Sequence, residues 1–465
     1  MEARDQRANM LGEEKISKVL IKLSVPAIIA MLVNAIYNIV DTMFVGRLGE
    51  TSAIGAVSVV FPLFMLIGAV GQTFGVGAGS YISRLLGEKK KKEADKTAAT
   101  AFFSSLACGI IFTIFGLIFI EPLLKAFGAT STILPYAKGY ASILVAGSIF
   151  TMLNMTMNNM IRAEGNAKYS MYAISLGAVI NIILDPIFIF TLNMGIKGAA
   201  WATVIAQIIS FIFLIKYYLL GKSYIVLSRK NYRFSKFIYS EIMKAGMPSL
   251  ARQALSSISL ALINVAANPY GDSAVAAMGV SLRILSIGYF VVFGFTQGFQ
   301  PIAGYNYGAK KFKRLFEAIK LSVIWSSIFT LGLSILLMIF AESTVSMFSK
   351  DLEVIKVGAR TLRATCLLFP VCGFMNVFVS LFQALGKGGE AFILATSRQG
   401  IFFIPTIIIL PKIFNLDGVI FSQPIADIFT LIVTIILGAR LLKKLKEEEK
   451  HLSFKENDIT KSVFE

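Results

Sequence analysis

Residues 31–46 read MLVNAIYNIVDTMFVG, a strongly apolar stretch that nevertheless carries Asp41. A carboxylate on a membrane-spanning helix costs at least ~2.5 kcal/mol on insertion scales, so it marks a functional site by default. Asn34, Tyr37, Asn38 and Asp41 recur at three- and four-residue steps, a spacing that puts them on one helix face. Lipid cannot satisfy such a stripe, so the face must meet protein or a water-filled cavity. Pro26, earlier in the same segment, removes a backbone hydrogen bond and marks a point where the helix can bend.

The rest of the chain has the same character. Its 465 residues are 56% hydrophobic and include 38 Phe, and mean hydropathy is +0.72. Apolar runs of spanning length recur from end to end, which predicts an all-α integral membrane protein of about twelve transmembrane helices. They fall at 18–46, 53–80, 97–120, 137–162, 169–191, 197–220, 241–268, 274–303, 315–340, 355–385, 390–413 and 418–442. A net charge of +18 would suggest nucleic acid in a soluble protein. Here the basic residues gather in alternate links. Arg4, Arg7, Lys15, Lys18 and Lys22 precede the first helix, and Arg84, Lys89 to Lys92 and Lys96 fill the second link. Lys222, Arg229, Lys230, Arg233 and Lys236 lie in the sixth, Lys310, Lys311, Lys313 and Arg314 in the eighth, and Arg440, Lys443, Lys444 and Lys446 at the tail. This is the positive-inside pattern. It predicts a multi-pass protein of a prokaryotic cytoplasmic membrane, with both termini cytoplasmic and with lipid rather than nucleic acid as its surroundings.

Enzyme chemistry finds little footing. Cys108, Cys366 and Cys372 lie in or beside apolar runs, and the single histidine, His451, lies in the polar tail. They form neither a disulfide framework nor a metal motif. With no nucleophile–base pair and no phosphate motif, neither catalysis nor a cofactor is expected. GVGAG at 75–79 lacks a preceding strand, so with Gly71, Gly75 and Gly79 at four-residue spacing it reads as close helix packing.

The sequence repeats itself. Pro26 matches Pro248, Gly87-Glu88-Lys89-Lys90 matches Gly308-Ala309-Lys310-Lys311, Ala163-Glu164-Gly165 resembles Ala384-Leu385-Gly386, and Gly198…Ala206 matches Gly418…Ala426, all at offsets of 220–222 residues. Two halves of about six helices each enter the membrane from the same side. They are then two six-helix bundles related by a pseudo-two-fold axis along the membrane normal, an arrangement of transporters with a central site. The expected units are 1–220, a cytoplasmic linker at 221–240, a second bundle at 241–445 and a cytoplasmic tail at 446–465. The halves diverge at the acids: Ile263 stands at the offset of Asp41 and Thr406 at that of Asp185.

The fifth helix reads INIILDPIFIF, with Asn181 and Asp185 one turn apart and Pro186 following. Asp41 lies roughly 7 Å and Asp185 roughly 10 Å from the outer ends of their helices, so the two carboxylates can share a level. Thr203 and Gln207 on the sixth helix reach the same depth. Two carboxylates with amide and hydroxyl oxygens suit Na⁺, and like-charge repulsion with burial suits a proton equally. Asp41, Asn181 and Asp185 are thus candidate Na⁺ ligands. On the fourth helix, Asn154 and Asn158 share a face among Met152, Met155, Met157 and Met160. Methionine adapts to varied ligands and also packs ordinary cores. In the second half, Arg283, Arg398 and Asp427 fall in apolar segments, and Arg398 and Asp427 are expected to form a structural ion pair.

These residues resemble the multidrug and toxic compound extrusion (MATE) family over nearly the whole chain. The resemblance rests on SVPAIIAMLVNAIYNIVDTMFVGRLG with its GAVSVVFPL continuation, on NIILDPIFIF, on GIKGAAWATVIAQ, and on the repeat. It implies two six-helix bundles forming a V that opens alternately to each side. It also implies export of cationic or amphiphilic toxic compounds in exchange for Na⁺ or H⁺. The combination of Asp41, Asn181 and Asp185 looks like the branch with its cation site in the N-terminal half, where Tyr37, Asp41, Asn181, Asp185 and Thr203 would be cation-coupling residues. Members of another branch carry acids on helices seven and eight, where this chain has Ile263 and Asn264.

The expected function is therefore a secondary-active efflux antiporter, acting as a monomer. Asn154, Met155, Asn158 and Gln207 are its candidate substrate-binding residues and Pro26 its hinge. The alternative is a flippase for a lipid-linked precursor. That function calls for a strongly basic central cavity, whereas the charge expected near the repeat axis is acidic or mixed.

Overall fold

A computed structural model describes residues 10–48 and 51–464. Lipid offers no partner for backbone N–H and C=O groups, so long apolar runs close their hydrogen bonds internally as helices. The first six spans are α1 (Ile16–Gly46), α2 (Thr51–Gly87), α3 (Lys91–Ile118), α4, α5 and α6 (Ile196–Leu219). Helix α4 is bent by 47° between Leu134–Ala146 and Ser148–Ala163. Helix α5 (Ala167–Pro186) runs on into a wider π turn, Ile187–Thr191. The second half repeats the plan with α7 (Lys236–Ala267), α8 (Asp272–Gly308) and α9 (Phe312–Ile339). Helix α10 is bent by 51° between Leu352–Cys366 and Phe369–Ala384. Helix α11 begins as Gly388–Thr396, passes through the π turn Ser397–Ile401 and resumes at Phe403. A reversed backbone at Asn415 (φ 51°, ψ −134°) ends it, and α12 follows over 416–464. Nine long apolar helices plus two bent pairs give eleven candidate spans among the described residues, and the break at Asn415 divides the last into two, making twelve.

Several helices run past their expected limits at the basic end. Helix α2 reaches Gly87 instead of 80, α3 starts at Lys91 instead of 97, α7 starts at Lys236 instead of 241, and α12 continues well beyond 442. Apolarity marks only the hydrocarbon-crossing part of a helix. The flanking Lys, Glu and Ala are good helix formers and carry it onward.

The turns show the internal symmetry. Lys89 and Lys310, 221 residues apart, take positive φ of 59° and 56°, and Gly165 and Gly386 take 84° and 72°. Gly195 (φ 56°, ψ −138°) has the backbone of Asn415, 220 residues later. The axis itself can be located. A Cβ on Gly87 would overlap the Tyr305 carbonyl, and one on Gly308 would overlap the Arg84 carbonyl. Both pairs are related by the same offset of 221, so α2 and α8 cross each other on the axis.

The halves meet chiefly through α2 against α7, α1 against α8, and α2 against α8. One apolar core joins Leu11 and, from the start of α1, Ile16, Val19, Leu20 and Leu23 to Phe299, Leu315, Leu381 and Leu441 of the second half. Inter-half hydrogen bonds cluster toward the same basic end, among them Ser24 Oγ to Phe295 O at 3.1 Å and Gln300 Nε2 to Ser80 Oγ at 2.9 Å. Arg84 Nη2 and Glu241 Oε2 form an ion pair at 2.8 Å between α2 and α7. The molecule is therefore sealed at its basic end.

Candidate functional site

Helix α1 runs unbroken through the buried Pro26 and delivers Tyr37 and Asp41 to its far end. Helix α5 delivers Asn181 and Asp185, both fully buried. The two carboxyls stand close enough to influence each other's charge. The Asn181 amide satisfies its surroundings when its nitrogen donates to Asp185 Oδ2 at 3.2 Å and its oxygen accepts from the Thr203 hydroxyl and backbone N–H at 3.3 Å. Tyr37 stands within electrostatic reach of both acids. Asp41 Oδ1 is buried and has no hydrogen-bond partner among the described residues. A buried carboxylate oxygen without a donor calls for a cation or a proton. The polar groups named here are hard oxygen or amide groups, which fit Na⁺ as a ligand set, and the acid pair fits a shared proton.

Tyr140 was missed by sequence reasoning. It is buried on α4 and faces Asp41, Tyr37 and Asp185 closely enough to sense their charge. Its only sequence signal is one polar atom in the apolar run 140–147, too little to distinguish it from packing. Asn38 is exposed and bonds Asn34 on its own helix, Nδ2 to the Asn34 carbonyl at 2.7 Å.

Beside the acids lies a cavity of about 260 Å³ between the halves. Tyr37, Asn181 and Thr203 form its wall toward the carboxyls, which themselves lie behind that wall. Asn154, Met155, Asn158 and Gln207, the candidate substrate-binding residues, all line it. The Asn154 amide donates to Gln207 Oε1 at 2.7 Å and Ser170 donates to Asn158 Oδ1 at 2.8 Å. Met152, Met157 and Met160 are instead fully buried in packing. The glycine stripe of α2 permits that packing, since a Cβ on Gly71 would come within 2.9 Å of Met152 Cα and one on Gly75 within 2.8 Å of the Met155 carbonyl. The second half contributes Ser249, Arg252, Gln253, Phe290 and Phe293. The charged groups described on the wall are Arg162 and Arg252. The expectation of acidic or mixed charge here is corrected: the acids are screened by Tyr37, Asn181 and Thr203, and the arginines are not.

The counterpart region in the second bundle is neutralised from within. Arg398 Nε meets Asp427 Oδ1 at 2.8 Å, and Gln423 Nε2 meets the same oxygen at 2.8 Å. The guanidinium lies over the Tyr289 ring at 4.7 Å and bonds its hydroxyl. The ion pair between Arg398 and Asp427 is thus present. Arg283 is exposed on α8.

The family model described as MatE matches this chain twice, over residues 26–187 and 248–409. The chain belongs to the MatE family. The two matches stand 222 residues apart and correspond to the two bundles. The multidrug export protein MepA of Staphylococcus haemolyticus is 29% identical over 449 residues, covering 97% of this chain and 99% of that one. MepA of Staphylococcus aureus strain NCTC 8325 is 28% identical over 457 residues, again covering 97% and 99%. A solved multidrug resistance MATE transporter of the MOP superfamily, described as outward-facing, superposes with a TM-score of 0.89 at 28% identity, covering 95% of this chain and 98% of that one. The chain is a membrane transporter of this family and not an enzyme.

Proposed function

We propose that this transporter is a secondary-active exporter of cationic or amphiphilic toxic compounds in exchange for Na⁺ or H⁺. The observation that carries the reading is the pair of neighbouring carboxyls, Asp41 and Asp185, set behind the wall of a cavity between two halves. The MepA relatives are named multidrug exporters, which supports the drug side of the exchange. The basic, sealed end is cytoplasmic under the positive-inside rule, so the arrangement corresponds to the outward-open state.

An ion entering from outside meets the acid pair first. Neutralising it removes like-charge repulsion and frees α1, through Pro26, to change its packing against α5. The cavity narrows and the compound leaves outward. The inward drive on one cation is about 2.3 kcal/mol per 100 mV before any concentration gradient. Asn181 couples the two sites, because it bonds Asp185 and Thr203 and, with Tyr37 and Thr203, lines the cavity.

A flippase for a lipid-linked pyrophosphate would need a dense cationic lining, and two arginines fall short of one. The test is efflux of an ethidium-like dye from liposomes under separately imposed Na⁺ and pH gradients. One gradient is expected to drive export and the other not. Export under neither would refute ion-coupled exchange.

A further inference from the structure

We propose that the central cavity carries an anion subsite, formed by Arg162 and Arg252, for the carboxylate or sulfonate of an amphiphilic aromatic compound. The proposal rests on the exporter reading and names a substrate class for the same cavity. Arg162 is 5% exposed. Its Nη1 donates to Ser170 Oγ at 2.8 Å and its Nη2 to Asn159 Oδ1 at 2.8 Å. Both acceptors are neutral, so they orient the guanidinium without cancelling its charge. Arg252, on α7, lies over the Phe293 ring at 4.6 Å, and no carboxylate is described within ion-pair distance of either side chain. Two other arginines inside the protein behave differently: Arg84 is paired with Glu241 and Arg398 with Asp427. An unpaired cation on a largely protein-lined wall inside a membrane is expensive. Two lining one cavity, from opposite halves, with no acid among the residues that line it, are a receptor for the missing negative charge.

The surroundings define the rest of the ligand. Phe64, Phe290 and Phe293 supply aromatic faces, and Met31, Met65 and Met155 supply adaptable apolar contact. Toward the acids the wall turns neutral and polar at Tyr37, Asn38 and Asn181. A compound with a single anionic end and a ring body satisfies the arginines and the aromatic walls together. A zwitterion can also point its cationic end toward Asp41 and Asp185. The cavity volume of about 260 Å³ suits such a compound and not a two-chain lipid.

Dansylglycine and its methyl ester differ by one carboxylate, and the dansyl group brightens in an apolar site. Their binding is measured on purified protein without any ion gradient. The acid is expected to lose about tenfold in affinity in Arg252→Gln, with the ester unchanged, because one charge-assisted contact is removed. Arg252→Lys should restore part of the loss. Arg162→Gln should act in the same direction. If it fails to fold, Arg162→Lys, which keeps the charge and loses the forked geometry, is read in its place and should weaken the acid alone. Equal effects on acid and ester, or no effect on the acid in Arg252→Gln, would overturn the subsite. Gradient-driven dye export is scored separately in vesicles. Selective acid binding without export would refute the exporter reading and leave the subsite standing, and export without acid selectivity would do the reverse.

Discussion

At the residue scale, charge position decides what each side chain does. Asp41 and Asp185 neighbour each other, so either substitution is expected to disable the same site. Asp41→Asn and Asp185→Asn are each expected to reduce gradient-driven export at least tenfold at matched expression, and the double mutant should be no worse than the singles. Additive losses in vesicle transport would mean two separate sites. These acids were legible in the sequence because a carboxylate inside a spanning run is costly, and because helical spacing and distance from the helix ends put them at one depth. Arg162 and Arg252 were not legible in the same way. Arg162 stands one residue before the end of α4, where a basic residue reads as a topology signal, and only the three-dimensional wall shows that it turns inward. Tyr140 was hidden for the opposite reason, since a tyrosine in an apolar run is ordinary packing until its neighbours are known.

At the element scale, the two halves keep their turns and exchange their chemistry. Asn415 holds a backbone that Gly195 holds in the first bundle, a region in which a side chain is strained. Asn415→Gly is expected to stabilise the protein by about 1 kcal/mol and Asn415→Val to destabilise it by about 1–2 kcal/mol, read as thermal unfolding in detergent. The repeat was visible in sequence, but this equivalence was not, because the residues differ. The π turns also break the symmetry. One follows Asp185, whereas the other holds Arg398 in position to meet Asp427. Asp427→Asn leaves Arg398 uncompensated and should lower stability by about 3 kcal/mol. The ion dependence of export by the surviving protein should be unchanged. A shift in that ion dependence would give the pair a coupling role. Replacing both partners with apolar residues should recover most of the stability.

At the scale of the whole molecule, export requires the sealed basic end to open. The seal has an apolar part, built on the start of α1 and the second bundle, and one buried cross-half ion pair. Arg84 and Glu241 have side chains only 11% and 9% exposed at 2.8 Å, and Lys244 also approaches Glu241 Oε1 at 2.5 Å. The pair exists only while α2 and α7 are together. Any state that parts them at this end must rehydrate both charges. Glu241→Gln keeps the shape and removes the carboxylate, leaving Arg84 buried without a counter-charge in the sealed state alone. That destabilises the sealed state by about 3 kcal/mol, which shifts the balance with the open state by roughly a hundredfold. Lys92 and Lys313 are exposed at the basic end of the two bundles and occupy equivalent positions, 221 residues apart. Spin labels at Lys92→Cys and Lys313→Cys, with the three native cysteines replaced by alanine, report the separation across the axis. Adding Glu241→Gln should raise the long-distance population at the expense of the short one. An unchanged distance distribution would show that the apolar contacts hold the seal without the ion pair.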